Sequence, residues 1–231
     1  MKTAVVTGAS SGIGAATARA LATDGWHVIV AARRTDLLTE LAESIGGEAI
    51  NLDVTDEDSV RHLAEQLDSV DLLVNNAGGA KGLDSVADAN IDDWTWMYET
   101  NVLGTVRVTK ALLPKLASGA QIVNVGSIAG ITPYVGGAGY NAAKFGVAAL
   151  TRVLRLETLD RPLRVCEINP GRVKTDFSLI RFKGDKERAD AVYAGHQNLV
   201  AEDIAEAIRW VASLPAHVNI DRLVIKPADQ G

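Results

Sequence analysis

Thr7-Gly8-Ala9-Ser10-Ser11-Gly12-Ile13-Gly14 is the stretch from which the rest of the chain is read. It joins a short apolar run, Thr3–Thr7, to a helix-like stretch, Ile13–Asp24. Glycine meets two needs at such a junction: backbone must approach a pyrophosphate closely, and the turn requires unusual dihedrals. A helix that begins there turns free N–H groups and the positive end of its dipole toward the phosphates. Gly8, Ser10, Ser11, Gly12, Ile13 and Gly14 are therefore candidate phosphate contacts. The spacing Gly-x-x-x-Gly-x-Gly differs from the common Gly-x-Gly-x-x-Gly fingerprint. Glycine-rich turns occur at many strand–helix junctions, so the context carries the weight: a strand before, a helix after, and first place in the chain.

Outward from this turn, apolar strand-like runs alternate with amphipathic helix-like stretches. The runs are Thr3–Thr7, His27–Ala32, Glu48–Leu52, Asp71–Asn75, Ala120–Gly126, Leu163–Ile168 and Arg222–Lys226. The helical stretches are Ile13–Asp24, Thr35–Ile45, Glu57–Leu67, Asp93–Leu116, Ala138–Leu159 and Glu202–Leu214. Mostly apolar strands fit a parallel sheet covered on both faces, and regular alternation fits βαβ crossovers. The expected architecture is α/β: a Rossmann-type, doubly wound, seven-stranded parallel sheet with helices on both faces, in a single domain over residues 1–231.

Composition narrows the field. Of 231 residues, 47% are hydrophobic and 23% charged, which suits a globular α/β domain. A net charge of −6 gives no reason to expect a nucleic-acid partner, which would want a basic face. No apolar run is long enough to span a bilayer. Thr3–Thr7 already reads as a strand, so no signal peptide is expected. The single cysteine, Cys166, lies among apolar residues, cannot form an intrachain disulfide and is expected to be buried. No metal site is expected, and the cytoplasm is the expected compartment.

The second strand ends in Ala31-Ala32-Arg33-Arg34, about 19 residues beyond Gly14. Enzymes that use NAD usually place a carboxylate near this point to accept hydrogen bonds from the ribose, and a carboxylate would repel the 2′-phosphate of NADP. Two guanidinium groups at this offset can instead pair with that phosphate through bidentate, charge-assisted bonds. The expected cofactor is NADP, held by Arg33 and Arg34; bare surface charge is the alternative. Asp53-Val54 ends the third strand and is expected at the adenine edge, with a helix N-cap as the other role open to Asp53.

Tyr140 and Lys144 stand at i and i+4 on an expected helix and share one face. A phenol titrates near 10 in water, too high for acid–base work at neutral pH. An ammonium roughly 4 Å away at an effective dielectric of about 20 favours the phenolate by about 4 kcal/mol, or about three pKa units, before desolvation takes part of this back. Ser127 follows the fifth strand, thirteen residues before Tyr140, where its hydroxyl can meet a substrate oxygen. The fourth strand ends in Asn75-Asn76-Ala77-Gly78, at the edge where ligands bind, and Asn101 lies inside a long helical stretch that asparagine does not favour. Singly, these are an ordinary helical pair, a turn serine, a turn asparagine and a tolerated helical asparagine. Their joint placement at successive strand ends is what points to a site.

The sequence resembles the short-chain dehydrogenase/reductase family along essentially its full length. The resemblance rests on TGASSGIG (Thr7–Gly14), LDV (Leu52–Val54), NNAG (Asn75–Gly78), Asn101, Ser127, YNAAK (Tyr140–Lys144), NPG (Asn169–Gly171) and Thr175. It implies a catalytic tetrad of Asn101, Ser127, Tyr140 and Lys144. In it Tyr140 is the acid–base, Ser127 orients the substrate oxygen, Lys144 lowers the phenol pKa, and Asn101 supports a proton relay. It also implies that Lys144 holds the nicotinamide ribose, that Asn75, Ala77 and Gly78 contact the cofactor, and that Pro170, Gly171, Val173 and Thr175 contact its nicotinamide end. Phe177-Ser178, RFKGD (Arg181–Asp185) and LPAHVNI (Leu214–Ile220) are similar to the NADP-dependent 3-hydroxy acid dehydrogenases, which implies action on serine, allo-threonine and related acids by a cytoplasmic homotetramer. The stretch Pro227–Gly231 departs from the pattern.

Between the sixth strand and the last helix, Gly171–Val200 breaks the alternation and carries Arg181, Lys183, Lys186 and Arg188. An insertion at a carboxyl strand end belongs beside the ligand crevice. Residues 177–200 are expected to form a substrate lid, with a solvated helical excursion as the alternative. A hydroxy acid needs a cation for its carboxylate: Arg181 and Lys183 are the candidates, and Arg172 and Lys174 their rivals. Two other functions stay open: a carbonyl reductase for neutral ketones or aldehydes, and a non-catalytic NADP-sensing protein on the same fold.

Overall fold

The computed structural model describes residues 1–231. Its seven strands are β1 (Thr3–Thr7), β2 (His27–Ala32), β3 (Glu48–Asn51), β4 (Val70–Asn75), β5 (Leu116–Val125), β6 (Arg164–Pro170) and β7 (Arg222–Ile225). They form one sheet in the order β3-β2-β1-β4-β5-β6-β7, and every neighbouring pair is parallel. The doubly wound sheet expected from the alternation is the one observed.

Strand periodicity sorts the core into two layers. Val6, Val30, Val74, Val123 and Ile168 face one way, where α1 (Gly12–Thr23), α2 (Thr35–Ile45) and α9 (Ala201–Ser213) bring Leu21, Leu38 and Ile208. Val5, Ile29, Leu73, Ile122 and Val165 face the other way. There they meet Leu63, Leu112 and Leu154 of α3 (Glu57–Glu65), α5 (Gly104–Leu112) and α6 (Ala138–Glu157). Successive side chains point to opposite faces, so apolar residues at consecutive positions are what a strand covered on both sides requires. Cys166 is fully buried in the first layer, and burial pushes its thiol up to about 12.

The strand order reverses between β1 and β4, which opens a crevice at their carboxyl ends. Thr7 Oγ1 ties the two ends together, accepting the N–H groups of Asn76 and Ala77, each at 3.0 Å. Gly14 packs against the same junction. A Cβ added there would lie 2.5 Å from the Gly8 carbonyl and 2.6 Å from Asn76 Nδ2. Gly14→Ala is therefore expected to cost about 1–3 kcal/mol through overpacking, and to lower Tm by roughly 2–4 °C per kcal/mol in a chain of this size. A thermal melt that matches the parent's would contradict this packing.

Two expectations about local structure are corrected. The helix expected over Asp93–Leu116 is interrupted: α4 (Ile91–Tyr98) passes through a π-helical turn, Glu99–Leu103, into α5, and a 3₁₀ turn over Leu113–Lys115 leads to β5. The π turn holds one extra residue and turns Asn101 inward, where its amide donates to the carbonyls of Met97 (2.7 Å) and Gly79 (2.8 Å). Pro114 lies in the 3₁₀ turn and lacks the N–H that an α-helical ladder would use. The N-cap of α3 is Asp56, whose carboxylate accepts from Asp58 N. Asp53 instead closes a turn, accepting from Thr55 N (2.9 Å) and Oγ1 (2.7 Å). Burial opposes its charge, but these bonds and the nearby Arg33 hold its carboxyl below the ordinary value.

The segment after β6 leaves the sheet as α7 (Phe177–Arg181) and α8 (Lys186–Ala191), and a parallel bridge between Val173 and Leu199 closes its base. No helix is long and apolar enough to cross a membrane.

Candidate active site

The carboxyl ends of β1, β4, β5 and β6 surround a cavity of about 350 Å³. Gly8, Ser11, Gly12 and Ile13 form one end; Ser127, Tyr140 and Lys144 stand at the centre; Pro170, Gly171, Val173 and Thr175 form the wall after β6. Gly8 and Gly12 have φ of 66° and 53°, the left-handed conformation that glycine adopts freely. The N-cap of α1, Ser11, makes no side-chain bond to its own helix. Its hydroxyl accepts from Arg34 Nη2 at 2.5 Å, and Ser10 Oγ accepts from Arg34 Nε at 3.1 Å. The first-turn N–H groups of α1 are thus left for an outside acceptor, with the Arg34 guanidinium beside them. Arg33 is exposed next to Asp53.

Tyr140 and Lys144 reach the cavity from the same face of α6, and both are buried. Lys144 Nζ donates to the Val125 carbonyl at 2.9 Å and lies 5.8 Å from the Tyr140 ring centroid. The Arg181 guanidinium stands at the same 5.8 Å from that ring. The expected fall in the phenol pKa does not occur. Burial pushes Tyr140 above its ordinary value, while a hydrogen bond with Ser127 and the charge of Arg181 pull back only in part. Desolvation of the phenolate outweighs the local cations. Burial also pushes Lys144 down to about 8, and the charge of Glu167 opposes this. Burial thus favours the neutral phenol and weakens the hold of Lys144 on its proton.

Several candidate residues do not line this cavity. The Asn75 side chain is buried in the sheet, donating to Thr109 Oγ1 (3.0 Å) and Asn124 Oδ1 (2.9 Å), and its neighbour Asn76 lines the cavity. Asn76 Nδ2 donates to the carbonyls of Thr7 and Gly8 at 3.0 and 3.3 Å, so it braces the glycine turn. Val54 is buried against Gly104 and does not line the cavity. Asn101 fastens the loop after β4, accepting from Gly79 N at 3.2 Å, and does not line the cavity.

The four candidate cations separate cleanly. Lys183 is turned out to solvent, 60% exposed, and pairs with Asp93 at 2.8 Å. Arg172 is spent on Asp229, Asn198 and the Gln197 carbonyl. Lys174 is exposed and outside the cavity. Arg181 lines the cavity, donates Nε to the Gly82 carbonyl at 2.9 Å, and keeps a buried Nη2 with no acceptor. Phe177, whose ring lies 5.5 Å from that of Tyr140, and Tyr193 complete the wall on this side, both within the expected lid; Tyr134 and Gln230 line the cavity from outside it.

A family model described as short chain dehydrogenase matches residues 2–184, and the chain belongs to that family. It is 61% identical over 231 residues to an uncharacterized oxidoreductase of Mycobacterium tuberculosis, covering 99% of this chain and 92% of the relative. It is 42% identical to sulfoacetaldehyde reductase 2 of Chromohalobacter salexigens, with 98% and 94% of the two chains covered. Among solved structures, the closed form of a serine dehydrogenase complexed with NADP+ superposes with a TM-score of 0.96 at 38% identity, covering 99% of this chain and 96% of that one.

Proposed function

We propose that this chain moves a hydride between NADP(H) and a small hydroxy acid or its oxo form, with Tyr140, Ser127 and Lys144 acting on the alcohol oxygen. The family supports the reaction class. The glycine turn, the free start of α1 and Arg34 fit a dinucleotide carrying an extra phosphate, as does the NADP+ in the serine dehydrogenase neighbour. When bound, the cofactor supplies or takes up the hydride. Ser127 and Tyr140 hold the substrate oxygen, and the Tyr140 phenol gives its proton to that oxygen on reduction and takes it back on oxidation. Lys144 holds the nicotinamide ribose and keeps positive charge beside the phenol. Asn101 acts through the Gly79 loop, which it fastens. Residues 177–200 act as the lid of this one domain.

The observation that carries the substrate class is Arg181: a guanidinium that lines the cavity beside the Tyr140 ring and, unlike Arg172 and Lys183, pairs with no carboxylate. A guanidinium with no anion of its own beside the reacting phenol leaves its charge for an anionic substrate group. A carboxylate, as in serine, and a sulfonate, as in sulfoacetaldehyde, both meet that need. The test is turnover of L-serine, 3-hydroxyisobutyrate, the sulfonate analogue and a neutral alcohol, each with NADP and NAD. Arg181→Met is expected to lower kcat/KM on the anions by roughly 10–100-fold, since a bond to a charged group contributes about 1.5–3 kcal/mol. Its effect on the neutral alcohol should stay within about twofold. Equal losses on both classes would remove Arg181 from substrate recognition, and a preference for neutral ketones would favour the carbonyl reductase. Absence of hydride transfer with every substrate would favour the cofactor sensor.

Lys144 supplies a pH prediction. Its ammonium is lost as pH rises through about 8, so NADPH affinity of the free protein should fall above that pH. Lys144→Met should bind more weakly throughout and lack this inflection; a fluorescence titration across pH 6–10 (roughly the span of His to Lys titration) reads both. The compartment we propose is the cytoplasm, and the assembly a homotetramer, which sedimentation analysis would test.

A further inference from the structure

We propose that Asp229 and Gln230 are positioning residues: they clamp both ends of the excursion over residues 174–198 and so set how firmly the cavity closes on the nicotinamide half of the cofactor. The proposal rests on the reading of the cavity given above. The excursion runs for 25 residues, and its return to the sheet is marked by few backbone bonds. Leu199 N donates to the Arg172 carbonyl (3.1 Å) and Lys174 N to the Leu199 carbonyl (2.8 Å). Its middle is fastened to the rest of the fold through Arg181 to Gly82 and Lys183 to Asp93, so how firmly its two ends close depends on the side chains that join them at the base.

The segment after β7 adds them. Asp229 Oδ1 accepts from Arg172 Nη2 at 2.7 Å, at the start of the excursion. Its Oδ2 meets Gln197 N at 3.2 Å and His196 Nδ1 at 3.1 Å, at the far end. One carboxylate thus joins three stretches of chain that are distant in sequence. Arg172 is drawn in further, with Nε on Asn198 Oδ1 at 2.8 Å and Nη2 on the Gln197 carbonyl at 3.0 Å. Gln230 finishes the clamp: its Oε1 accepts Arg172 N at 2.8 Å, and the residue itself lines the cavity. A side chain at Gly171 would collide with that same Oε1, so the glycine after Pro170 is what admits Gln230. Arg172 and Gly171 stand in the wall next to Val173 and Thr175, so movement of the clamp is movement of that wall. The residues that departed from the family pattern in sequence are therefore the ones that hold the excursion in place.

The experiment compares the parent with Asp229→Ala, Asp229→Asn and Gln230→Ala, by hydrogen exchange without cofactor and by NADPH titration. In Asp229→Ala, exchange over 174–198 should quicken by about tenfold or more while the strands keep parental protection. Its NADPH dissociation constant should rise by a similar factor, and its KM for cofactor should rise more than kcat falls. Asp229→Asn keeps an acceptor for Gln197 N without the charge and should fall between. Parental protection over 174–198 in both Asp229→Ala and Gln230→Ala would overturn the clamp. So would loosening of 174–198 with no change in NADPH affinity. Should Asp229→Ala fail to fold, Gln230→Ala, which removes one neutral bond, carries the same two readouts. The exchange measurement needs no turnover, so a parent that binds NADPH but reduces no hydroxy acid defeats the substrate reading and leaves the clamp under test.

Discussion

Tyr140→Phe is expected to lower turnover by about 10²–10⁴-fold, the usual contribution of general acid–base catalysis, while NADPH affinity stays within about twofold of the parent's. The variant keeps the ring, its packing against Phe177 and its place between Lys144 and Arg181, and loses only the hydroxyl. Because burial holds the phenol in its acid form, the loss should be plain in the reductive direction, where the hydroxyl must donate. In the oxidative direction the parent has to release that proton, so its turnover should rise with pH, a limb that the variant lacks. Stopped-flow measurement of the nicotinamide absorbance separates chemistry from product release. A variant that keeps more than about a tenth of parental turnover, with chemistry shown to limit the rate, removes Tyr140 from the acid–base role.

The double substitution Arg33→Ala, Arg34→Ala is expected to narrow the NADP/NAD ratio of catalytic efficiencies by at least about tenfold, since each charge-assisted bond contributes roughly 1.5–3 kcal/mol. Arg34 is already braced by Ser10 and Ser11, so its guanidinium arrives at the glycine turn without further ordering. Arg33 is exposed and faces the charge of Asp53, which competes for it. The single variants should therefore be unequal, with Arg34→Ala the more damaging. NAD kinetics should change little in either. An unchanged ratio in the double variant would mean that the 2′-phosphate is held by other groups.

Local and long-range demands on the chain divide along one physical line. Strand and helix periodicities depend on neighbouring residues, so the apolar runs and amphipathic stretches were legible one by one, and their alternation implied the parallel sheet. The glycine turn was legible because backbone conformation at Gly8 and Gly12 is a local demand. The common face of Tyr140 and Lys144 follows from helical geometry alone, and both line the cavity.

What the tertiary structure decided concerns partners far apart in sequence. Asn75 and Asn76 are adjacent and alike, yet one braces the sheet through Asn124 and the other braces the turn through Thr7. Arg172, Arg181 and Lys183 look equivalent as cations. Asp229, Gly82 and Asp93 decide among them, and only Arg181 lines the cavity without a carboxylate partner. The direction of the Tyr140 shift has the same origin. A charge pair can be placed from spacing, but desolvation depends on everything that packs around the phenol. Local patterning was enough for the sheet, the glycine turn and the face that carries Tyr140 and Lys144. Which side chains are satisfied, and which are left open to a ligand, was decided only when distant segments met, because burial and hydrogen-bond partnership are properties of the folded neighbourhood.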